Sequence, residues 1–471
     1  MPSSWGARNL PPCRAALAAG LALGLALGAR PAGAQESPRP GRAYTLEECL
    51  NLTDRNAPQL WAARARLAQV HAQLDEAKWT PFSQFTAQAG FGVLPPILGS
   101  IHYTSSGFNV LSTAFGQGYE PFFRFEFSGN VPLYTFGKIT SSRAAAEAGV
   151  RVSEWDLERV RQQAHWDVRR AYFGLMLARD AKYVIDEIVS YLDKGVAGLG
   201  EKLARGEAGA SETEKLKLEV YREEIFARTG EAQKGGEAAL AALRFLTGVQ
   251  VGFDILDVPL KRPAAPIPAL AQYLEAARLF RPETNMARAG VLARKHMAAF
   301  QRARLFPDVG LAFLATYSAS PSATIQNNAW VQDPFNRFIY GGLVGARWSL
   351  DLLPQQARIA RAEAEVDETR ALERMALAGV AAEVEGSYAS VLEARLREEA
   401  WDRAEHKAKR WLASVQSALD VGGGDEKDLV EPLKAYANAR AQHLVALHDV
   451  YKELSHLAFL SGWEGAAPSP G

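Results

Sequence analysis

From Leu157 to Leu192, apolar residues recur only at steps of three and four. The stripe is Leu157, Val160, Ala164, Val168, Ala171, Leu175, Ala178, Ala181, Ile185, Ile188 and Leu192, with an average step of 3.5 residues. That is the coiled-coil period, and it predicts a left-handed supercoiled helix with helical partners along its whole length. The stretch opens at Val131 with VPLYTFGKITSSRAAAEAG, and no proline interrupts it between Pro132 and Pro259. At 1.5 Å per residue, about 55 helical residues reach about 80 Å, several times the width of a compact domain. Taken alone, this pattern describes any structural rod or stalk.

The chain before it changes period twice. YTLEECLNL predicts a helix start, with Thr45 as N-cap and Glu48 at the capping-box position. The helical pattern runs on through Leu60, Leu67, Val70 and Leu74 to Lys78, and Pro81 ends it. From Phe82 the period becomes two. Phe85, Ala87, Ala89 and Phe91 alternate with Gln84, Thr86, Gln88 and Gly90, and Phe123, Phe125 and Phe127 alternate with Arg124, Glu126 and Ser128. These are two strands, about 82–131 with their loop, each with one apolar and one polar face. An ordinary surface hairpin would show the same alternation. The long helix is expected over about 136–195, a break at Gly195 to Gly209, and a further helix over about 211–247.

The second half repeats the first. Residues 44–248 form one unit, 249–268 is a connector holding Pro259, Pro263, Pro266 and Pro268, and 269–462 form the second unit. A helix from about Leu270 to Leu305 is followed by strands over about 308–350, a long helix over about 355–419 and a last helix over about 428–460, with a tail at 463–471. ALRFLTG ends at Gly248 and HLAFLSG at Gly462, an offset of 214 that also carries Gly209 onto Gly423. The chain is therefore a tandem repeat of helix, two strands, long helix and helix.

Composition narrows the setting. Of 471 residues, 48% are hydrophobic and 23% charged, and 53 basic residues balance 53 acidic ones, so no nucleic-acid surface is indicated. Arg8 and Arg14 precede an apolar run, Ala15 to Ala29, that leads to Ala32, Gly33 and Ala34. This predicts a signal peptide over 1–34, a mature start near Gln35 and a linker over 35–43. Of the two cysteines, Cys13 would leave with that segment, and Cys49 alone closes no intrachain disulfide. Beyond the signal no apolar run is long enough for a membrane helix, but strands can still span a membrane.

Four strands are too few to close a membrane barrel, since the smallest use about eight. Three copies would supply 12. Trp79, Phe82, Phe122, Phe123, Phe306, Phe338, Tyr340 and Trp348 gather at the strand ends, where membrane-interface aromatics belong, although a β-sandwich core would look similar.

Over about residues 44 to 462 the sequence resembles the TolC-like outer-membrane efflux proteins. The resemblance rests on LEECLNLTDRNAPQLWAARARLAQVHAQLDEAKWTPF, VPLYTFGKITSSRAAAEAGV, ALRFLTG, RLFPDVGLAFLATY, WSLDLLPQQARIARAEAEVDETR and LAFLSG, and on their order, duplication and spacing. It implies a mainly α fold with a membrane β-barrel: a homotrimer with a 12-stranded barrel in the outer membrane and a long α-helical coiled-coil tunnel in the periplasm. Its partners would be a periplasmic adaptor protein, an inner-membrane pump of the resistance-nodulation or ABC type, and outer-membrane lipid. The family's strand-to-helix entry is matched by Pro132-Leu133-Tyr134-Thr135-Phe136-Gly137-Lys138. The second copy, Ser349 to Pro354, lacks the glycines.

The resemblance also places an acidic pair at the periplasmic mouth. Aligning on Asn438-Ala439-Arg440 puts it at Asp428 and Glu431, with Asp425 and Glu426 as further mouth acids. Three chains would ring a narrow opening with carboxylates, a cation-binding constriction. Two first-turn acids that stabilise a helix N-terminus would read the same way. The helix-to-helix turns, with Gly195, Gly206, Gly209, Gly422, Gly423 and Gly424, are the expected adaptor contacts. The eight histidines show no metal-ligand spacing, and no nucleophile or phosphate-binding motif occurs, so neither a metal, a cofactor nor an enzymatic activity is expected. The expected function is passive conduction through an exit duct. The competing class is a non-conducting envelope stalk or coiled-coil adhesin.

Overall fold

The computed structural model describes residues 42–99, 102–104, 107–109, 112–113, 118–205, 211–321, 323–326, 332–421 and 426–468. The expected signal segment at 1–34 and nearly all of the linker lie outside them.

Eight helices are described: α1 (Leu46–Asn56), α2 (Pro58–Trp79), α3 (Lys138–Ala204), α4 (Glu212–Thr247), α5 (Leu270–Phe280), α6 (Pro282–Ala303), α7 (Leu352–Asp420) and α8 (Val430–Ser461). The strands are β1 (Ala43–Tyr44), β2 (Gln84–Leu94), β3 (Ile97–Leu98), β4 (His102–Thr104), β5 (Gly107–Asn109), β6 (Ser112–Thr113), β7 (Glu120–Tyr134), β8 (Asp254–Ile255), β9 (Asp308–Ala319) and β10 (Arg337–Arg347). The 67 residues of α3 and the 69 of α7 make rods of about 100 Å at 1.5 Å per residue.

The helix start at Thr45 is a reciprocal cap. Its hydroxyl accepts from the Glu48 amide at 3.2 Å, and the Glu48 carboxylate accepts from the Thr45 amide at 3.0 Å. The single helix expected from here to Lys78 is instead two. Ala57 takes extended backbone (φ −62, ψ 123), the conformation favoured before a proline, and Pro58 opens α2 at a position that needs no amide donor. The second repeat does the same at Arg281 (φ −67, ψ 124) and Pro282, so the expected helix from Leu270 to Leu305 also divides.

The break expected from Gly195 also moves. Gly195 and Gly200 lie inside α3, which runs to Ala204, and the turn begins at Arg205. A lone helical glycine costs only about 1 kcal/mol, which packing offsets; at Gly195 the nearest atom to an added Cβ would be Leu218 Cδ1 of α4, at 3.4 Å. Pro354 likewise falls inside α7, as its third residue, where the first turn tolerates it.

Helices α3 and α4 pack as one hairpin and α7 and α8 as another. α6 lies against both α3 and α7, and α2 against α3. Three large buried clusters follow the rods, beside a small one of Ala298, Ala362 and Val366 between α6 and α7. One joins Cys49, Tyr172, Phe173, Leu243, Phe253 and Ile255 around the parallel pair β1–β8. A second holds Ile188, Leu192, Leu199, Leu218, Leu412 and Leu433, and a third Tyr273, Val384, Val391, Val450 and Leu457.

The duplicated FLTG and FLSG motifs have one physical reason. Gly248 and Gly462 end α4 and α8 in the left-handed region (φ 74 and 65), where glycine is favoured. Each abuts the break between the two short helices of its own repeat. A Cβ on Gly248 would stand 2.9 Å from Asn56 Cβ, and one on Gly462 would stand 2.8 Å from the Phe280 carbonyl carbon and 2.9 Å from the Arg281 nitrogen. The preceding Thr247 and Ser461 are fully buried and donate to Leu243 O (2.7 Å) and Ala458 O (3.1 Å).

The four long strands form one antiparallel sheet in the order β10-β9-β7-β2. Its register puts Phe85, Phe127, Phe313 and Tyr317 on one face, with Phe338 and Tyr340. Gln84, Thr86, Arg124, Ser128, Asn130 and Thr316 stand on the other. Gly129 sits directly between Phe85 and Phe313 in the ladder, and a Cβ there would lie 2.4 Å from one ring and 2.5 Å from the other. The glycine is what lets the aromatic face close.

Candidate functional site

The sheet is the first part of the site. Its outer strands β2 and β10 each pair on one side only, so both sheet edges are open among the described residues. Unpaired backbone along two edges, with a greasy face and a polar face between them, leaves both edges free to pair with further strands. Arg124 and Glu126 pair at 2.9 Å on the polar face.

At the foot of the sheet the chain turns into α3. Phe136 (φ 50) and Gly137 (φ 91) are both left-handed. For Phe136 that conformation costs about 1–2 kcal/mol, offset by its ring stacking on Phe306 at 5.4 Å and meeting Tyr134 edge-on at 4.7 Å. Pro132 borders a bulge between Pro132 and Tyr134 in the β7–β9 ladder. Trp348 donates its indole N–H to Leu305 O at 3.0 Å, and Trp79, Phe82 and Phe306 are exposed at the same end. Phe122, Phe123, Phe338 and Tyr340 stand at the opposite end, where Phe122 meets Phe335 edge-on at 6.4 Å.

The helix tips are the second part. Val430 and Leu433 of α8 are buried with Leu199 of α3 and Leu218 of α4, which turns Asp428 and Glu431 outward. Both are exposed. Glu431 has a partner the sequence reading missed: Lys434, one turn on, at 3.8 Å, whose ammonium lies 5.4 Å from the centre of the Tyr221 ring. Gly206, Gly209, Gly422, Gly423, Gly424 and Asp425 lie outside the described residues, as does the side chain of Glu426.

The third part was not foreseen. His165 of α3 is 3% exposed and lies between two carboxylates, Asp54 of α1 at 2.9 Å and Glu464 beyond α8 at 2.7 Å. Arg161 grips Asp54 with two bonds of 3.0 Å. Burial alone would lower the His165 pKa, but the two carboxylate hydrogen bonds outweigh it and raise it. Burial would raise that of Asp54, and the His165 and Arg161 hydrogen bonds bring it down to about 2. Further along the wall, His443 of α8 meets Glu405 at 2.5 Å, a bond that raises the His443 pKa, while Arg440 meets Glu405 at 2.7 Å and Arg262 of the connector reaches the buried Glu398 at 2.8 Å. These contacts tie distant segments together; among the described residues no group of three or more His, Cys, Asp or Glu side chains could hold a metal ion. No described helix is long and apolar enough to cross a membrane.

A sequence model of outer membrane efflux proteins matches residues 49–249 and 273–463, covering both repeats. The chain belongs to the outer membrane efflux protein family. It is thus a TolC-like outer-membrane channel, a transport protein. Solved structures carry the same fold. The outer-membrane channel OprN shares 16% identity over 93% of this chain and 96% of that one, with a TM-score of 0.71. The CmeC outer membrane channel of Campylobacter jejuni shares 17% over 92% and 90%, with a TM-score of 0.68. The open-state MtrE outer membrane channel of Neisseria gonorrhoeae shares 15% over 89% of each chain, with a TM-score of 0.71. Comparison with curated protein sequences gives no match. Membership in a channel family sets aside the stalk and adhesin readings.

Proposed function

We propose that three copies of this efflux-family channel close into one passive exit duct that serves an inner-membrane pump through a periplasmic adaptor. The observation that carries this is the four-stranded sheet with two open edges and opposed apolar and polar faces. Three such sheets, joined β10 to β2 of the next copy, make 12 strands, leave no edge and turn the polar face inward. The aromatics fit the membrane's two interfaces. From Phe338 to Trp348 is about 33 Å of strand, which at a tilt of about 40° stands about 25 Å tall, the height of the apolar band of such barrels.

Asp428 and Glu431, exposed at the tip of α8, then ring the mouth and bind cations. The α3–α4 and α7–α8 ends, where Gly195 allows close helix contact, are the adaptor-facing surface. The pump, of resistance-nodulation or ABC type, supplies the energy.

Purified protein in planar bilayers is expected to give discrete channels, and cross-linking is expected to stop at three copies. A monomer without conductance would overturn the reading. Replacing both Asp428 and Glu431 by Ala is expected to raise single-channel conductance and weaken block by divalent cations. If neither quantity changes, the mouth lies elsewhere.

A further inference from the structure

On the polar face of the sheet, Glu120 at the far end and Arg347 at the foot are the charged residues whose side chains have no partner among the described residues. Arg124 meets Glu126, and Lys138, the first residue of α3, meets Asp308 at 2.7 Å. Arg337 at the far end of β10 donates to Gln332 at 3.3 Å and lies in the field of Asp333. Arg347 is different. It ends β10 directly across the ladder from Asp308, on the same face as Arg337, and is exposed. Among the described residues its side chain has no ion-pair or hydrogen-bond partner, and the carboxylate opposite it pairs with Lys138.

These three groups share a cavity of about 420 Å³ at the foot of the sheet, where strand gives way to helix. Gln84 and Asn130 add uncharged polar lining, and Asp308 is the one acid among the described residues that face it. Two cations against one carboxylate leave each chain one positive charge at this level. In the closed barrel the next copy would lay β2 alongside β10, and its polar-face residues Gln84, Thr86 and Gln88 bring no acid to cancel it.

We propose that Arg347, supported by Lys138, makes the junction of barrel and tunnel an anion-favouring step. This inference rests on the trimeric duct proposed above. Three net positive charges would stand around one water-filled section, within reach of each other's fields at moderate salt, and would concentrate small inorganic anions and the anionic groups of passing cargo. The duct would then carry opposite signs along its length, with acids at the periplasmic mouth and guanidinium groups where the barrel begins. Arg347 is the residue that sets the second sign.

The test is the ratio of chloride to potassium permeability, taken from reversal potentials in a potassium chloride gradient across planar bilayers. The unaltered channel is compared with Arg347→Gln and Arg347→Lys, so that the mouth acids are common to all three. Arg347→Gln is expected to lower the ratio about two- to threefold near 0.1 M salt, where the screening length is about 10 Å, with the difference fading at 1 M, where it is about 3 Å. Arg347→Lys should keep the ratio, since the charge and not the shape of the guanidinium carries the effect. Equal ratios in the unaltered and Gln channels would overturn the assignment while leaving the duct intact. Absence of any channel in the unaltered protein would instead overturn the trimeric duct, and this inference with it.

Discussion

Replacing Gly462 by alanine is expected to cost the fold about 3 kcal/mol or more, among the largest effects of any single methyl group in this protein. Two costs add. The left-handed backbone at φ 65 disfavours any residue with a Cβ by about 1–2 kcal/mol, and the new atom would stand 2.8 Å from the Phe280 carbonyl carbon and 2.9 Å from the Arg281 nitrogen. Those are backbone atoms at a helix break fixed by Pro282, and they have no rotamer through which to yield. Gly248→Ala carries the same backbone cost, but its obstacle is the Asn56 side chain at 2.9 Å, so its effect should be smaller. Thermal unfolding of the two variants beside the parent checks the order. A Gly462 variant as stable as the parent, or less damaged than the Gly248 variant, would refute this account of the motif.

Replacing His165 by alanine is expected to cost about 3 kcal/mol, because removing the centre of a buried ionic cluster leaves charge without compensation. Asp54 would keep Arg161, while Glu464 would lose its nearest partner. The pH dependence has a definite sign. The folded pKa of His165 is raised, so its contribution is complete below the unfolded value of about 6.5 and declines as pH rises through the folded value. Asp54 is lowered to about 2, so its contribution is present above the unfolded value of about 3.9 and is lost as pH falls toward 2. The cluster therefore holds best between about pH 4 and 6.5. Melting temperature measured from pH 5 to 9 should show an alkaline decline that His165→Gln flattens. A decline of equal size in both proteins would place its origin elsewhere.

The architecture was legible wherever it rests on period. The 3.5-residue stripe through Val168, Leu175 and Ile188 and the alternation at Phe123, Phe125 and Phe127 each follow from a single burial direction, and local sequence records that direction. Breaks were harder. Pro58 and Pro282 were visible, but the apolar spacing continues across them through Leu60, and only the extended backbone at Ala57 and Arg281 divides the helices. Gly195 looked like a turn but lies within α3, where an added Cβ would come 3.4 Å from Leu218 of α4. The mouth acids were found through a family segment, whereas the Lys434 beside Glu431 could have been read from its spacing of three. The histidine clusters were out of reach, because the partners of His165 lie 111 and 299 positions away and no local spacing encodes them.

That separation has a consequence for how the channel is made. His165 in the first repeat takes its second carboxylate from Glu464, beyond the last helix of the second, so the cluster is complete only when residue 464 is in place. A chain that stopped before that residue would leave the buried imidazole with Asp54 alone.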